Sequence, residues 1–273
     1  MPVAYSCNDR IALIEIPTTK GTPQEIRKGV YEAFERFKKD DTARIAVVSS
    51  DGTDFCGDVF QNPDLDVSST ATRRELFGRW AGGHHEIWKP TIAAVQGYCY
   101  GEGATLALAC DFRVGLQTTR LGFHLASLGD CPNASAAWLI NLVGISKAFE
   151  LLWLRESLSA EESLHLGLLN RVIDVGTVDE ASQEGRLPMN PIERTVTTTD
   201  GNLVGGAIKF AEMLLLNAPL TQAFQKEIAY RSIGVPFQYA QSLEIGIHPL
   251  GSADRIEGNR AFVENRRPVW RNR

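Results

Sequence analysis

The stretch that most restricts how this chain folds is Lys89 to Gly115, which reads KPTIAAVQGYCYGEGATLALACDFRVG. Thr91 to Val95 is a short apolar run of the kind buried on both faces in a parallel sheet. Gln96 and Gly97 end it, and a short turn leads into a helix over 101–110 whose start is rich in glycine. Gly101 and Gly103 carry no Cβ, so a ligand is able to approach the backbone closely there. The N–H groups of a helix's first turn lack partners within the helix and lie at the positive end of its dipole. Such groups suit a developing oxyanion. The spacing of Gly97, Gly101 and Gly103 does not fit a dinucleotide-binding turn.

Strands and helices alternate around this stretch. Ile11 to Ile16 reads as a strand, and Thr22-Pro23-Gln24-Glu25 forms a capping box with proline at the first helical position. The helix that follows places Ile26, Val30, Phe34 and Phe37 on one face. Ile45 to Ser49 is a strand of buried type, Arg73 to Trp88 reads as helix, and Phe112 to Leu116 as a further strand. Helices are expected over 146–155 and 159–167, the second opened by Ser159 and Glu162 as another capping box. A strand over 171–175 precedes a polar stretch, 176–203, which contains two prolines and no periodicity and reads as a long loop or insertion. Helical patterns return over 204–217, 219–232 and 253–264. The pattern predicts an α/β body with parallel pairing and crossover helices over 1–203, followed by a helical region over 204–273.

Composition narrows the partners. The 273 residues carry a formal net charge of -5, which offers no general attraction to nucleic acid. Arg266, Arg267, Arg271 and Arg273 cluster at the end and are expected to be solvated. Five cysteines with no CxxC pair suit neither a disulfide framework nor a zinc site, so reduced thiols, no metal and a cytoplasmic setting are expected. No basic region followed by an apolar stretch opens the chain, and no apolar run reaches the ~18 residues that span a bilayer.

The segment from Lys89 to Gly115 closely resembles the core motif of the crotonase (enoyl-CoA hydratase/isomerase) superfamily: a strand ending in asparagine-glycine, a triple-glycine turn, and a helix ending in Ala-Cys-Asp. Asp54 to Val59 (DFCGDV) is similar to that family's F-C-A-G-A-D loop. Ala253 to Trp270 (ADRIEGNRAFVENRRPVW) is similar to its C-terminal ending. The resemblance implies a spiral of ββα units with a C-terminal helical region that packs trimers or dimers of trimers. It also implies an acyl thioester substrate carried on coenzyme A or a carrier protein, with no further cofactor. Carried over by position, the oxyanion hole is made by the backbone N–H groups of Gly57 and Glu102, with Cys56, Asp58, Gly101 and Gly103 lining the substrate.

The chain departs from the family where hydration would take place. A family hydratase sets two glutamates across the substrate double bond, and the matching positions here are Thr105 and Leu125. Neither residue is able to hold and activate a water by acid/base catalysis. The loop around Cys56, which in relatives helps hold the nucleotide, is shorter than in the family, and an early family segment is reduced to Pro17 to Thr22. A carrier-protein thioester or a substrate without a thioester is therefore an alternative to coenzyme A. Other candidates near the expected pocket are His124 as a proton shuttle, Asp130 as a facing carboxylate, and Asn133 where some relatives carry an aspartate. Glu102 itself is open to two readings, an unusual base beside the oxyanion hole or a side chain that caps the helix or meets solvent. His84, His85 and His248 carry no specific assignment. The expectation is an enzyme that stabilises a thioester enolate for decarboxylation, isomerisation or hydrolysis rather than ordinary hydration. The alternative is a non-catalytic protein of the same fold that binds an acyl group or a partner.

Overall fold

The computed structural model describes residues 3–56, 87–123, 126, 135–154, 157–174, 195–197, 202–247 and 251–272. Among these residues one sheet contains β1 (Ala4–Asn8), β2 (Ile11–Ile16), β3 (Ile45–Ser50), β4 (Thr91–Val95), β6 (Phe112–Leu116), β9 (Arg171–Asp174) and β10 (Thr195–Thr197), in the order β1-β2-β3-β4-β6-β9-β10. A second, smaller sheet has the order β5-β7-β8, from β5 (Tyr98–Tyr100), β7 (Arg120–Gly122) and β8 (Leu158–Ser159). The described helices are α1 (Pro23–Lys39), α2 (Gly101–Ala109), α3 (Ser135–Val143), α4 (Ile145–Trp153), α5 (Ala160–His165), α6 (Leu203–Leu215), α7 (Pro219–Arg231), α8 (Phe237–Ile247) and α9 (Ala253–Val263).

β1 and β2 form an antiparallel hairpin. Its two-residue turn holds Asp9 and Arg10 at φ of 46° and 70°, the left-handed pair that matches the twist of the flanking strands. All further neighbours in the large sheet are parallel. Parallel strands need both faces covered, and the alternation along β2, β3 and β4 supplies two apolar faces. One face, with Ile14, Ala46, Val48 and Ala93, shares a core with Ile26, Val30, Phe34 and Phe37 of α1, the face read from the sequence. On the other face Ile11, Ile45, Val47, Ile92 and Ala94 meet Leu203, Ala207, Phe210 and Ala211 of α6.

The two sheets together make the expected repeat. β4 in the large sheet is followed by β5 in the small sheet and then α2; β6 is followed by β7 and, further on, α3. This is the ββα spiral. Both capping boxes form, with Glu25 N–H donating to Thr22 Oγ1 at 3.3 Å and Glu162 N–H donating to Ser159 Oγ at 3.2 Å.

The C-terminal helices are tied to the sheet through Asp111, just past α2. Its carboxylate accepts from Thr91 N–H at 2.7 Å, Thr91 Oγ1 at 3.0 Å, Lys226 Nζ at 2.6 Å and Tyr230 Oη at 3.1 Å. Burial, with Asp111 alongside, pushes the Tyr230 phenol well above its ordinary range. A second clasp holds the final residues: Asp254 Oδ1 accepts from Arg271 N–H at 2.6 Å, and Trp270 Nε1 donates to Leu216 O at 2.9 Å.

Several sequence expectations change. Residues 176–203 are not loop throughout, because Thr195–Thr197 forms β10 beside β9. The β-branched run Thr195-Val196-Thr197 favours an extended strand over a loop. Ile87 and Trp88 are not helical. Pro90 follows closely, and the residue before a proline is pushed out of the helical region. The rest of the helix expected over 73–88 lies outside the described residues. Residues 98–100, read as turn, form β5. The helices α3 and α8 and the strand β1 have no counterpart in the sequence reading. Among the described residues no single helix is long and apolar enough to cross a membrane.

Candidate active site

Two backbone segments converge at the start of α2. The first is Ser50 to Cys56, leaving the end of β3; the second is Gln96 to Gly101, leaving the end of β4. They are stitched along their length. Phe55 N–H donates to Gln96 O at 2.7 Å, Cys56 N–H to Tyr98 O at 3.1 Å, and Tyr100 N–H to Cys56 O at 3.0 Å. Asp54 locks the turn by accepting from Tyr98 N–H at 2.7 Å. Gly97 sits inside that lock with φ of 53°, and a Cβ there would lie 2.2 Å from Asp54 Oδ1. Glycine is therefore required at 97 by both conformation and space.

α2 is a core helix: Gly101 and Gly103 through Ala109 are buried, and only Glu102 is partly exposed. Tyr100, at its N-cap, supplies no side-chain hydrogen bond to the first turn. Gly101 has φ of 55°, which glycine adopts without strain. Gly103 has a different reason from the one the sequence suggested. A Cβ on it would lie 2.1 Å from Cys56 Cβ and 2.7 Å from its Sγ. Glycine at 103 thus admits the Cys56 side chain, and the close approach is made by protein rather than by a ligand.

Glu102 follows neither of its two expected paths. Its side chain turns to α1, where Arg27 Nε donates to Oε2 at 2.8 Å and Arg27 Nη2 donates to Oε1 at 2.9 Å. The side chains are only 6% and 14% exposed, so this is a forked ion pair largely out of water. A carboxylate held in this way is not placed to act as a general base. Arg27 was missed in the sequence reading, although a signal existed. It lies three residues before Val30 and seven before Phe34, a cation on the apolar stripe of α1. Together with a glutamate in an otherwise small-residue turn, that position calls for a buried partner.

Thr105 stands one turn into α2 and is buried. Its hydroxyl donates to Gly101 O at 3.1 Å, four residues back along the helix. The position matched to the first hydratase glutamate therefore holds a hydroxyl engaged by its own backbone. The nearby thiols are no substitute. Burial pushes Cys99 well above its ordinary value, and burial with Asp111 behind it pushes Cys110 up to about 12. Both are protonated at neutral pH and poor nucleophiles. Cys56 is buried against Gly103, consistent with the role of a small packing residue.

The structure thus brings together Cys56, Gly101, Glu102, Gly103 and Thr105. Gly57, Asp58, His124, Leu125, Asp130 and Asn133 lie outside the described residues, as do His84, His85 and His248.

Known proteins agree with this architecture. The enoyl-CoA hydratase/isomerase family profile matches residues 14–190. A carnitinyl-CoA dehydratase from Salmonella enteritidis is 30% identical over 259 residues, covering 89% of this chain and 87% of the relative. The corresponding dehydratase from Salmonella typhi is 29% identical over the same coverage. An enoyl-CoA hydratase from Bacillus anthracis superposes with a TM-score of 0.81 at 20% identity, covering 100% of both chains. One from Mycobacterium tuberculosis gives 0.80 at 24%, covering 100% of this chain and 99% of that one. At these identities the two structures speak for the fold, which is the crotonase fold. The family match, the dehydratase relatives and the ββα spiral lead to one conclusion: this chain belongs to the enoyl-CoA hydratase/isomerase family.

Proposed function

We propose that the chain acts on an acyl-CoA thioester by stabilising an enolate, without the glutamate pair that ordinary hydration uses. The observation that carries this reading is the state of α2's first turn. Its glycine-rich backbone is retained and rigidly stitched to the Cys56 segment, while Thr105 stands at a glutamate position and Glu102 is engaged by Arg27. The thioester oxygen would accept from the N–H groups of Glu102 and of Gly57, which directly follows Cys56 in the chain. Negative charge then collects on that oxygen as a bond at the α-carbon breaks. Loss of one such donor costs about 3 kcal/mol of barrier in other enzymes, so the N–H groups carry much of the catalysis.

Decarboxylation, isomerisation and carbon–carbon hydrolysis pass through that enolate, and thioester hydrolysis would place a tetrahedral oxyanion on the same oxygen. All need this oxyanion hole more than they need two glutamates. His124 and Asp130 are the proton-handling groups we assign from the sequence. The carnitinyl-CoA dehydratase relatives favour coenzyme A over a carrier protein as the acyl handle. Exposed Phe237, Phe262 and Val263 on α8 and α9 support a trimer built through the C-terminal helices. Sedimentation should then give three times the monomer mass or a multiple of it, and a monomer would refute the assembly.

Calorimetry with acetoacetyl-CoA, an enolate mimic, tests the reading. Binding near micromolar, about -8 kcal/mol, is the expected result. No binding to the folded protein would remove the enolate reading. A second reading, a protein that binds acyl groups without turning them over, draws on the same commitments of Glu102 and Thr105. Binding without turnover of any β-keto, β-carboxy or enoyl thioester would favour it.

A further inference from the structure

The forked contact between α1 and α2 joins a residue with no assigned role to the peptide proposed as an oxyanion donor. We infer that Arg27 is a positioning residue for the oxyanion hole, acting through the Glu102 side chain. The inference rests on the enolate reading above. Glu102 stands where the family has a small glycine, so its carboxylate would bring a negative charge next to the oxygen on which the enolate charge collects. Like charges oppose each other more strongly away from bulk water, and the Glu102 side chain is only 14% exposed. The guanidinium offsets that charge. Two parallel N–H···O contacts of 2.8 and 2.9 Å also fix the carboxylate in plane and in direction. A side chain held at both oxygens restrains its own backbone, here the second residue of α2, whose N–H is the assigned donor.

Arg27 is itself held in place. It is 5% exposed and sits on a helix whose neighbouring residues Ile26 and Val30 are in the core. The capping box at Thr22 and Glu25 pins the start of that helix immediately before it. The chain thus carries a rigid path from the cap of α1 to the first turn of α2. Lysine at 27 keeps the charge but lacks the fork, so it separates neutralisation from alignment.

The test compares two ligands on the full-length protein. Acetoacetyl-CoA uses the oxyanion hole, whereas coenzyme A itself has the same handle and no thioester carbonyl. Arg27→Met is expected to weaken acetoacetyl-CoA about tenfold, equivalent to about 1.4 kcal/mol, and to leave coenzyme A within about twofold. The ultraviolet band of bound enolate should fall in parallel. Arg27→Met with Glu102→Gly, which removes both the cation and the charge it offsets, should recover most of the acetoacetyl-CoA affinity. Arg27→Lys should fall between wild type and Arg27→Met, and it supplies the answer if the methionine variant does not fold. Equal acetoacetyl-CoA binding in wild type and the Arg27 variants would overturn the inference while leaving the enolate reading intact. So would parallel losses for both ligands, which mark a purely structural role. Wild-type protein that binds coenzyme A but not acetoacetyl-CoA would instead remove the enolate reading, and this inference with it.

Discussion

The two ends of α2 each hold a carboxylate met by a cation from a distant helix, yet they serve different ends. Past the C-terminus, Asp111 receives donors from Thr91, Lys226 and Tyr230, drawing together β4 and α7. Arg113 closes the same end, donating from Nη1 to Cys110 O at 2.7 Å and from Nε to Leu168 O at 2.7 Å. At the N-terminus, Glu102 is held by the fork of Arg27, and its own N–H is the one assigned to the substrate. The first arrangement is a structural clasp spread over several elements. The second is, on the inference drawn above, a local brace beside the proposed oxyanion site. A buried ion pair therefore does not announce its purpose; the backbone groups around it do. At one end they are engaged within the protein, and at the other they belong to a helix start, where donors face outward.

The comparison breaks first, and hardest, at Asp111. Asp111→Ala leaves Lys226 and Tyr230 facing each other without their shared acceptor, and removal of one partner from a buried pair costs about 3–5 kcal/mol. Urea unfolding should show that loss. Protein that remains folded at low temperature should keep its ligand affinity, because the clasp is remote from the first turn. A loss of affinity without a loss of stability would reverse the assignment of the two ends.

Gly103→Ala sharpens the other end. The new Cβ would collide with Cys56, and overpacking of this kind costs about 1–3 kcal/mol. It should also weaken acetoacetyl-CoA, since Cys56 directly precedes the other assigned donor, Gly57. Combining it with Cys56→Gly should restore part of the stability, with a favourable coupling between the two changes measured in a double-mutant cycle. Additive losses would show that the two residues do not meet.

A further effect, confined to alkali, bears on the C-terminal end of α2. Cys110 is raised from 9.0 to about 12 by burial and by Asp111, so the unfolded chain loses this proton first. Its contribution to stability is complete below pH 9.0 and is lost as pH climbs toward about 12. Unfolding midpoints should therefore fall across that window. Cys110→Ala should flatten the fall without abolishing it, because the buried Cys99 is shifted in the same direction. An unchanged slope would place the alkaline sensitivity elsewhere.

Much of the fold was legible because its signals are local. The strand Thr91–Val95, the helix after Gly101 and the two capping boxes each depend on neighbours a few residues apart, and each was found within a residue or two. Segments without a counterpart in the reading, among them β1, β7, α3 and α8, and β5, which reads as turn, are short or weakly patterned. β5 is three residues long and its partner β7 is contributed from beyond α2, so nothing near it in sequence marks it as a strand. β10 does carry a local signal in its β-branched run, but at three residues it is weak, and its partner β9 lies on the far side of a long polar stretch.

By itself, the sequence determined the family, the glycine-rich start of α2 and a threonine, not a carboxylate, at position 105. All three reside in residue types at short spacing, which chemistry reads directly. Only the tertiary structure decided what Glu102 and Gly103 are for. Glu102 meets Arg27 across 75 residues of chain, and Gly103 makes room for Cys56 from a separate loop. Propensity and periodicity act over a few residues, whereas ion pairing and close packing act over a few ångströms. Such contacts exist only once the chain has brought distant segments together.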